Sequence, residues 1–166
     1  EQSKKLVNLY ISSSSLFTKF VIRGAFQFTG EVLECGMPRN DILLGDTQSV
    51  YKAVREKLQL PSGQKIVLYA PTFREDLSIQ DYGLDFPGMQ AALKKRFGGE
   101  WVCFFRAHAN LVRQFHNLKL ENSVINVSDY DEMQELLCAA DVLITDYSSS
   151  MWDFSLMKKP CFLYAV

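Results

Sequence analysis

The chain has 166 residues, 48% of them apolar and 22% charged, with a formal net charge of −1. That balance fits a folded protein of one ordinary domain or two small lobes. It excludes a broad basic surface for nucleic acid, leaving room only for a local basic pocket. No apolar run reaches the roughly 18 residues a membrane helix needs, and no signal peptide is visible.

In chain order, "LVNLYISSSS" reads as a short strand ending in serines. "SLFTKFVIRGAF" has a helical rhythm that places Leu16 and Phe20, with Phe17, inward. Thr29-Gly30 is a turn, "EVLECG" a strand and "GMPRND" a loop. "TQSVYKAVREKLQL" is an amphipathic helix with Val50, Tyr51, Val54 and Leu58 on one face, stopped by Pro61 and Gly63. From Lys65 the pattern changes. "KIVLYA", "EWVCFFRAH", "SVINVSD", "VLITD" and "PCFLYA" are apolar strands of the kind buried in a parallel sheet. Helices "MQAALKKRF", "NLVRQFHNL", "DEMQELLCAAD" and "SSSMWDFSLMKK" lie between them. That alternation predicts right-handed βαβ units and a doubly wound, Rossmann-type parallel α/β sheet.

Residues 1–60 read as the tail of an N-terminal Rossmann-like domain, 61–64 as a hinge, and 65–166 as a second such domain truncated at its C-terminus. Glu1 opens without methionine and "CFLYAV" stops in mid-strand, so the chain reads as a piece of a longer protein. Cys35, Cys103, Cys138 and Cys161 form no CxxC pair and are expected to be buried free thiols. With two histidines, a Cys/His metal site is not expected, and no cofactor is called for.

Ligands of open α/β sheets bind beyond the carboxyl ends of the strands. The first strand of the second domain delivers Thr72 and Arg74 there, the second Arg106 and His108, and the third Ser128 and Asp129. The fourth delivers Thr145, Asp146, Tyr147 and the serines Ser148, Ser149 and Ser150. Two arginines, a histidine, hydroxyls and a helix N-terminus suit a phosphorylated ligand. Taken singly, each has a plainer reading. The serines cap a helix, Asp146 caps or holds backbone groups, Arg74 is solvated, and His108 is structural. "GMPRND" is either a plain loop or a device aiming Arg39 at the inter-domain side. His116 sits in a surface helix and carries little weight. No G-x-G-x-x-G, Walker A or G-x-S-x-G motif is present, against a nicotinamide enzyme, a P-loop NTPase and an α/β-hydrolase.

"GMPRND", "YAPTFRED", "RAHANL" and "LITDYSSSMWDFSLMKKPCFLY", in that order, resemble the CDP-glycerol glycerophosphotransferase family of teichoic acid synthesis. The likeness covers roughly residues 33–164. It implies a GT-B-like arrangement of two Rossmann-like domains. It implies transfer of glycerol phosphate from CDP-glycerol, or another CDP-alditol, to a hydroxyl of a lipid-linked polymer, releasing CMP. It places the full-length protein in the cytoplasm at the inner membrane face, attached through regions outside this chain. By the same likeness His108 and Arg106 are catalytic, beside the pyrophosphate. Arg74, Thr72, Asp146, Ser148, Ser149 and Ser150 bind donor phosphate, and Arg39 faces the cleft from the N-terminal part. The family's upstream "HG[TM]" histidine is absent from these residues, so the chain reads as part of an active enzyme. The alternatives are a GT-B-like nucleotide-sugar glycosyltransferase or epimerase, and a non-catalytic nucleotide-binding module.

Overall fold

The structure, a computed structural model, describes residues 7–72, 85–107 and 123–164. It divides into two compact units, residues 1–41 and 42–166.

In the first unit β1 (Leu9–Ser12) and β2 (Glu31–Glu34) pair in parallel. Between them α1 (Ser15–Phe17) runs into a π-helical segment, Thr18–Ala25. Ser14 caps the start, its Oγ accepting the Phe17 N–H at 3.2 Å. The inward stripe differs from the expected one. Leu16 and Phe20 are 67% and 63% exposed, while Ile22 is fully buried. The cause is the wider helical turn, seen where the Phe26 N–H reaches the Val21 carbonyl five residues back. A stripe counted at 3.6 residues per turn rotates off the core in such a segment. Gly36, with φ +85°, turns the chain after β2 through a backbone region that only glycine enters freely. A 3-10 turn, Pro38–Asn40, and α2 (Asp41–Leu44) follow.

In the second unit α3 (Thr47–Lys57) starts at Asp46, whose Oδ1 accepts the Ser49 N–H at 3.1 Å. Its buried Val54 packs into the core of this unit. Arg55 bonds the segment that follows, with Nη1 donating to the Gln64 carbonyl at 2.7 Å and Nη2 to the Pro61 carbonyl. Within this chain the break in compactness thus falls after Asp41, ahead of α3, and residues 61–64 are bonded back to that helix.

Five strands then form an all-parallel sheet: β3 (Lys65–Ala70), β4 (Trp101–Phe105), β5 (Val124–Asn126), β6 (Val142–Thr145) and β7 (Cys161–Leu163). Their spatial order is β5-β4-β3-β6-β7. This is the doubly wound order expected of a Rossmann-type sheet, with the chain reversing direction across the sheet between β3 and β6.

Strand alternation builds two cores. Ile66, Leu68, Val102, Phe104 and Leu143 face one side, covered by α3, by α5 (Met133–Ala139) through Leu136 and Leu137, and by α6 (Ser150–Ser155) through Phe154. Val67, Tyr69, Cys103, Phe105, Val142 and Ile144 face the other, under α4 (Phe86–Phe97) through Leu93. Both faces of β3 and β4 are covered, which is why their sequences are continuous apolar runs. Gly98, at φ +67°, ends α4 with its N–H on the Lys94 carbonyl at 2.9 Å.

Two of the four thiols depart from expectation. Cys103 and Cys138 are buried, but Cys35 and Cys161 are exposed. Cys161 belongs to β7, an edge strand whose three residues are all exposed. Cys35 follows β2, which exposes three of its four residues. An apolar strand sequence is buried only where a neighbour covers it.

Candidate functional site

The carboxyl ends of β3 and β6 adjoin at the point where strand order reverses, with Ala70 opposite Thr145. Three side-chain hydrogen bonds cross this junction. The fully buried Thr145 donates its Oγ1–H to the Ala70 carbonyl at 2.6 Å. Asp146, 5% exposed, accepts the Thr72 N–H on Oδ1 at 2.9 Å and the Thr72 Oγ1–H on Oδ2 at 2.7 Å. The structure thus brings together two of the expected phosphate-binding residues, Thr72 and Asp146, and joins them to each other.

The β4 and β5 ends are laced in the same way. Arg106 directs Nη1 at the Tyr130 carbonyl (2.5 Å) and the Val127 carbonyl (3.4 Å). The Ser128 hydroxyl accepts the Ala107 N–H at 2.8 Å, and Ser128 N–H donates to Asn126 Oδ1 at 3.0 Å. Burial lowers the Arg106 pKa, while Glu132 and Asp131 pull it back up. The guanidinium therefore braces the loop after β5 with one nitrogen, and the backbone leaving β4 is fixed up to Ala107. Arg74 and His108 lie outside the described residues, as does His116.

Two residues beyond Asp146 the serine turn begins. Ser148 is half-buried, Ser149 exposed and Ser150 buried. Ser148 Oγ accepts the Ser150 N–H at 3.3 Å and the Ser150 Oγ–H at 2.9 Å. With its lone pairs so occupied, the Ser148 hydroxyl retains a proton to donate. Ser149 occupies the N-cap position of α6 without a side-chain capping bond. The serines thus do not act together as a simple cap. Ser148 closes a small loop with Ser150, and Ser149 is exposed. Tyr147 and Trp152, 79% and 68% exposed, flank them. Arg39 is exposed on the 3-10 turn of the first unit.

Other parts of the quoted block are framework. Lys159 donates from Nζ to the Ala140 carbonyl at 2.7 Å and to the Cys138 carbonyl at 3.1 Å, closing the end of α5. Burial lowers its pKa. A lysine set to meet the last carbonyls of a helix is a known stop signal, but here it arrives from a different element, out of reach of local sequence reading. Asp153 is 9% exposed and accepts from Gln134 Nε2 at 3.4 Å. Among the described residues no group of three or more His, Cys, Asp and Glu could hold a metal ion. No helix among them is long and apolar enough to cross a membrane. A pocket of about 330 Å³ between α4 and the β6–β7 edge is lined by Met89, Leu93, Phe97, Ile144 and Phe162, with Arg96 and Ala92. It offers a phosphate no hydroxyl and a single cation.

Comparison with known proteins adds the following. The family model of CDP-glycerol:poly(glycerophosphate) glycerophosphotransferases matches residues 1–166. A teichoic acid poly(glycerol phosphate) polymerase of Staphylococcus epidermidis is 35% identical over 161 residues, 94% of this chain and 22% of that protein. A teichoic acid glycerol-phosphate transferase of Staphylococcus aureus is 32% identical over 162 residues, 94% of this chain and 41% of that protein. The solved wall teichoic acid polymerase TagF superposes with a TM-score of 0.80 at 34% identity, over 99% of this chain and 40% of that one. The chain therefore spans between about a fifth and two fifths of the length of these relatives.

Proposed function

The chain belongs to the CDP-glycerol:poly(glycerophosphate) glycerophosphotransferase family, and from that premise we propose that it is the donor-binding part of a GT-B-like glycerophosphotransferase. The full-length protein would move glycerol phosphate from CDP-glycerol to the terminal hydroxyl of a lipid-linked teichoic-acid-type polymer, releasing CMP. Residues 65–166, with α3 packed on their core, would hold the donor, and residues 1–41 would belong to the acceptor-side domain. Because the acceptor is lipid-linked, the reaction would take place at the cytoplasmic face of the cell membrane, with attachment supplied outside this chain.

One observation carries the reading. Thr72 of "APTFR" and the "TDYSSS" turn, motifs 74 residues apart, are bonded together at the switch point of a Rossmann-ordered sheet. Ligands of such sheets bind there. Phosphoryl transfer asks mainly for positioning and for charge stabilisation of the group in flight. Ser148 and Ser149 would supply donors to the donor's phosphate oxygens. Arg74 would supply fixed charge, with Arg39 approaching from the acceptor side. His108, two residues beyond the Arg106 brace, would act on the pyrophosphate as a cation or as the acid toward departing CMP. Arg106 itself serves this site by holding the loop after β5.

The test is calorimetric titration of the full-length protein with CDP-glycerol, CDP-ribitol and UDP-N-acetylglucosamine. Heat is expected with a CDP-alditol. Heat with the UDP-sugar alone would overturn the reading in favour of a nucleotide-sugar transferase.

A further inference from the structure

We propose that Asp146 is a positioning residue that acts through Thr72, and that neither of the two touches the donor's phosphates. The inference rests on the functional reading above and changes the roles within it. Asp146 is an anion at the rim where a diphosphate is to bind. Left with outward-facing lone pairs, it would repel that ligand. Instead both carboxylate oxygens are occupied by donors from one residue, the Thr72 N–H at 2.9 Å and the Thr72 Oγ1–H at 2.7 Å. The pair lies in a low-dielectric place, with Asp146 buried, and hydrogen bonds to an ionised acceptor are the strong ones.

The same bonds settle what Thr72 can do. Its N–H and hydroxyl proton both point at Asp146, so neither is available to a phosphate oxygen while the clamp is closed. Next to it, the Thr145 hydroxyl is bonded to the Ala70 carbonyl. The strand ends are thereby locked as one wall, with Thr72 after β3 held to Asp146 after β6. Pre-set geometry of this kind is what a site needs when its chemistry is mostly positioning. Phosphate contacts are left to groups beyond the clamp, the Ser148–Ser149 turn among them.

The experiment is a double-mutant cycle in the full-length protein, read in CDP-glycerol affinity and in unfolding midpoint. Asp146→Ala should weaken donor binding about tenfold and Thr72→Val about fivefold, with the double variant no weaker than Asp146→Ala alone. Asp146→Asn should stay within about threefold of wild type. Its Oδ1 still accepts the Thr72 N–H, and its Nδ2 donates to a hydroxyl that has turned round. Thr72→Ser, which keeps both donors, should match wild type.

Multiplying losses in the double variant, or an Asp146→Asn loss as large as that of alanine, would overturn the proposal by showing that the carboxylate meets the ligand itself. If Asp146→Ala does not fold, Asp146→Asn decides: affinity within about threefold of wild type sustains the clamp, and a loss of about tenfold or more overturns it. A wild type that binds no CDP-alditol would remove the functional reading and this consequence of it together. Additive shifts in unfolding midpoint, in a protein that does bind donor, would remove the clamp alone.

Discussion

Strand β6 carries an aspartate at each end, and both reach across to β3. At the amino end Asp141 accepts the Ile66 N–H on Oδ2 at 2.8 Å, and its own N–H donates to the Ile66 carbonyl at 2.8 Å. At the carboxyl end Asp146 accepts two donors from Thr72. The device is the same: a short carboxylate satisfies a main-chain N–H where the ladder runs out. The surroundings differ. Asp141 is half-buried, bonds main chain that continues into the strand, and lies in the field of Lys159. Asp146 is buried and is followed at once by exposed Tyr147 and the serine turn. An aspartate's hydrogen bonds therefore do not mark it as functional. Its end of the sheet does, because only the carboxyl end opens toward a ligand.

The largest effect expected of this contrast lies at the carboxyl end. His108→Ala in the full-length protein should lower turnover by about 100-fold or more, the range for losing a general acid, while the unfolding midpoint stays near wild type. Undiminished turnover would end the role assigned to His108. The opposite split is expected at the amino end. Asp141→Ala leaves the Ile66 N–H without its acceptor and should cost about 1–3 kcal/mol of stability, with donor affinity and kcat unchanged in the protein that remains folded. A fall in kcat/KM beyond the loss of folded material would break the comparison.

A third variant belongs to neither end. Cys103 sits within β4, and burial pushes its thiol from 9.0 up to about 12. Between those values the folded chain keeps the proton that the unfolded chain releases. The folded state binds more protons, so stability falls as pH rises through that window, by up to about 1.4 kcal/mol per pH unit from this group. Cys138 and Tyr130 are raised in the same direction, so Cys103→Ala should shrink the slope without abolishing it. Urea unfolding at pH 8.5 and 10.5 measures this. Donor affinity should not follow the same variant.

The contrast also explains what was legible in the residues. The parallel sheet was, because Ile66 to Ala70 and Val102 to Phe105 are apolar without alternation, the pattern of strands covered on both faces, although the apolar edge strand β7 shows that the pattern alone does not guarantee cover. The gathering of Thr72 and the serine turn at one edge was legible too, since topology alone carries strand ends there. Which donor meets which acceptor was not. The family likeness places Arg106 at the pyrophosphate, and only the structure shows its Nη1 holding the carbonyls of Val127 and Tyr130, partners 21 and 24 residues away. Lys159 is equally opaque: a lysine before a proline, it closes a helix that ended 20 residues earlier. Leu16 and Phe20 misled because the period itself changes where the helix widens, and no single residue announces that change.

The smallest effect is at Ser149, and it separates a cap from a ligand group. A serine that caps a helix stabilises the fold, and its removal costs stability whether or not donor is present. Ser149 stands in the N-cap position, exposed and without a capping bond. Its hydroxyl therefore has little to lose in the free protein. If it contributes one neutral hydrogen bond to the donor, Ser149→Ala should weaken CDP-glycerol binding by about 1 kcal/mol, roughly fivefold, at an unchanged unfolding midpoint. A lower midpoint with unaltered donor affinity would reassign the residue to the helix. The carboxyl end of β6 would then keep its clamp and lose one of its phosphate contacts.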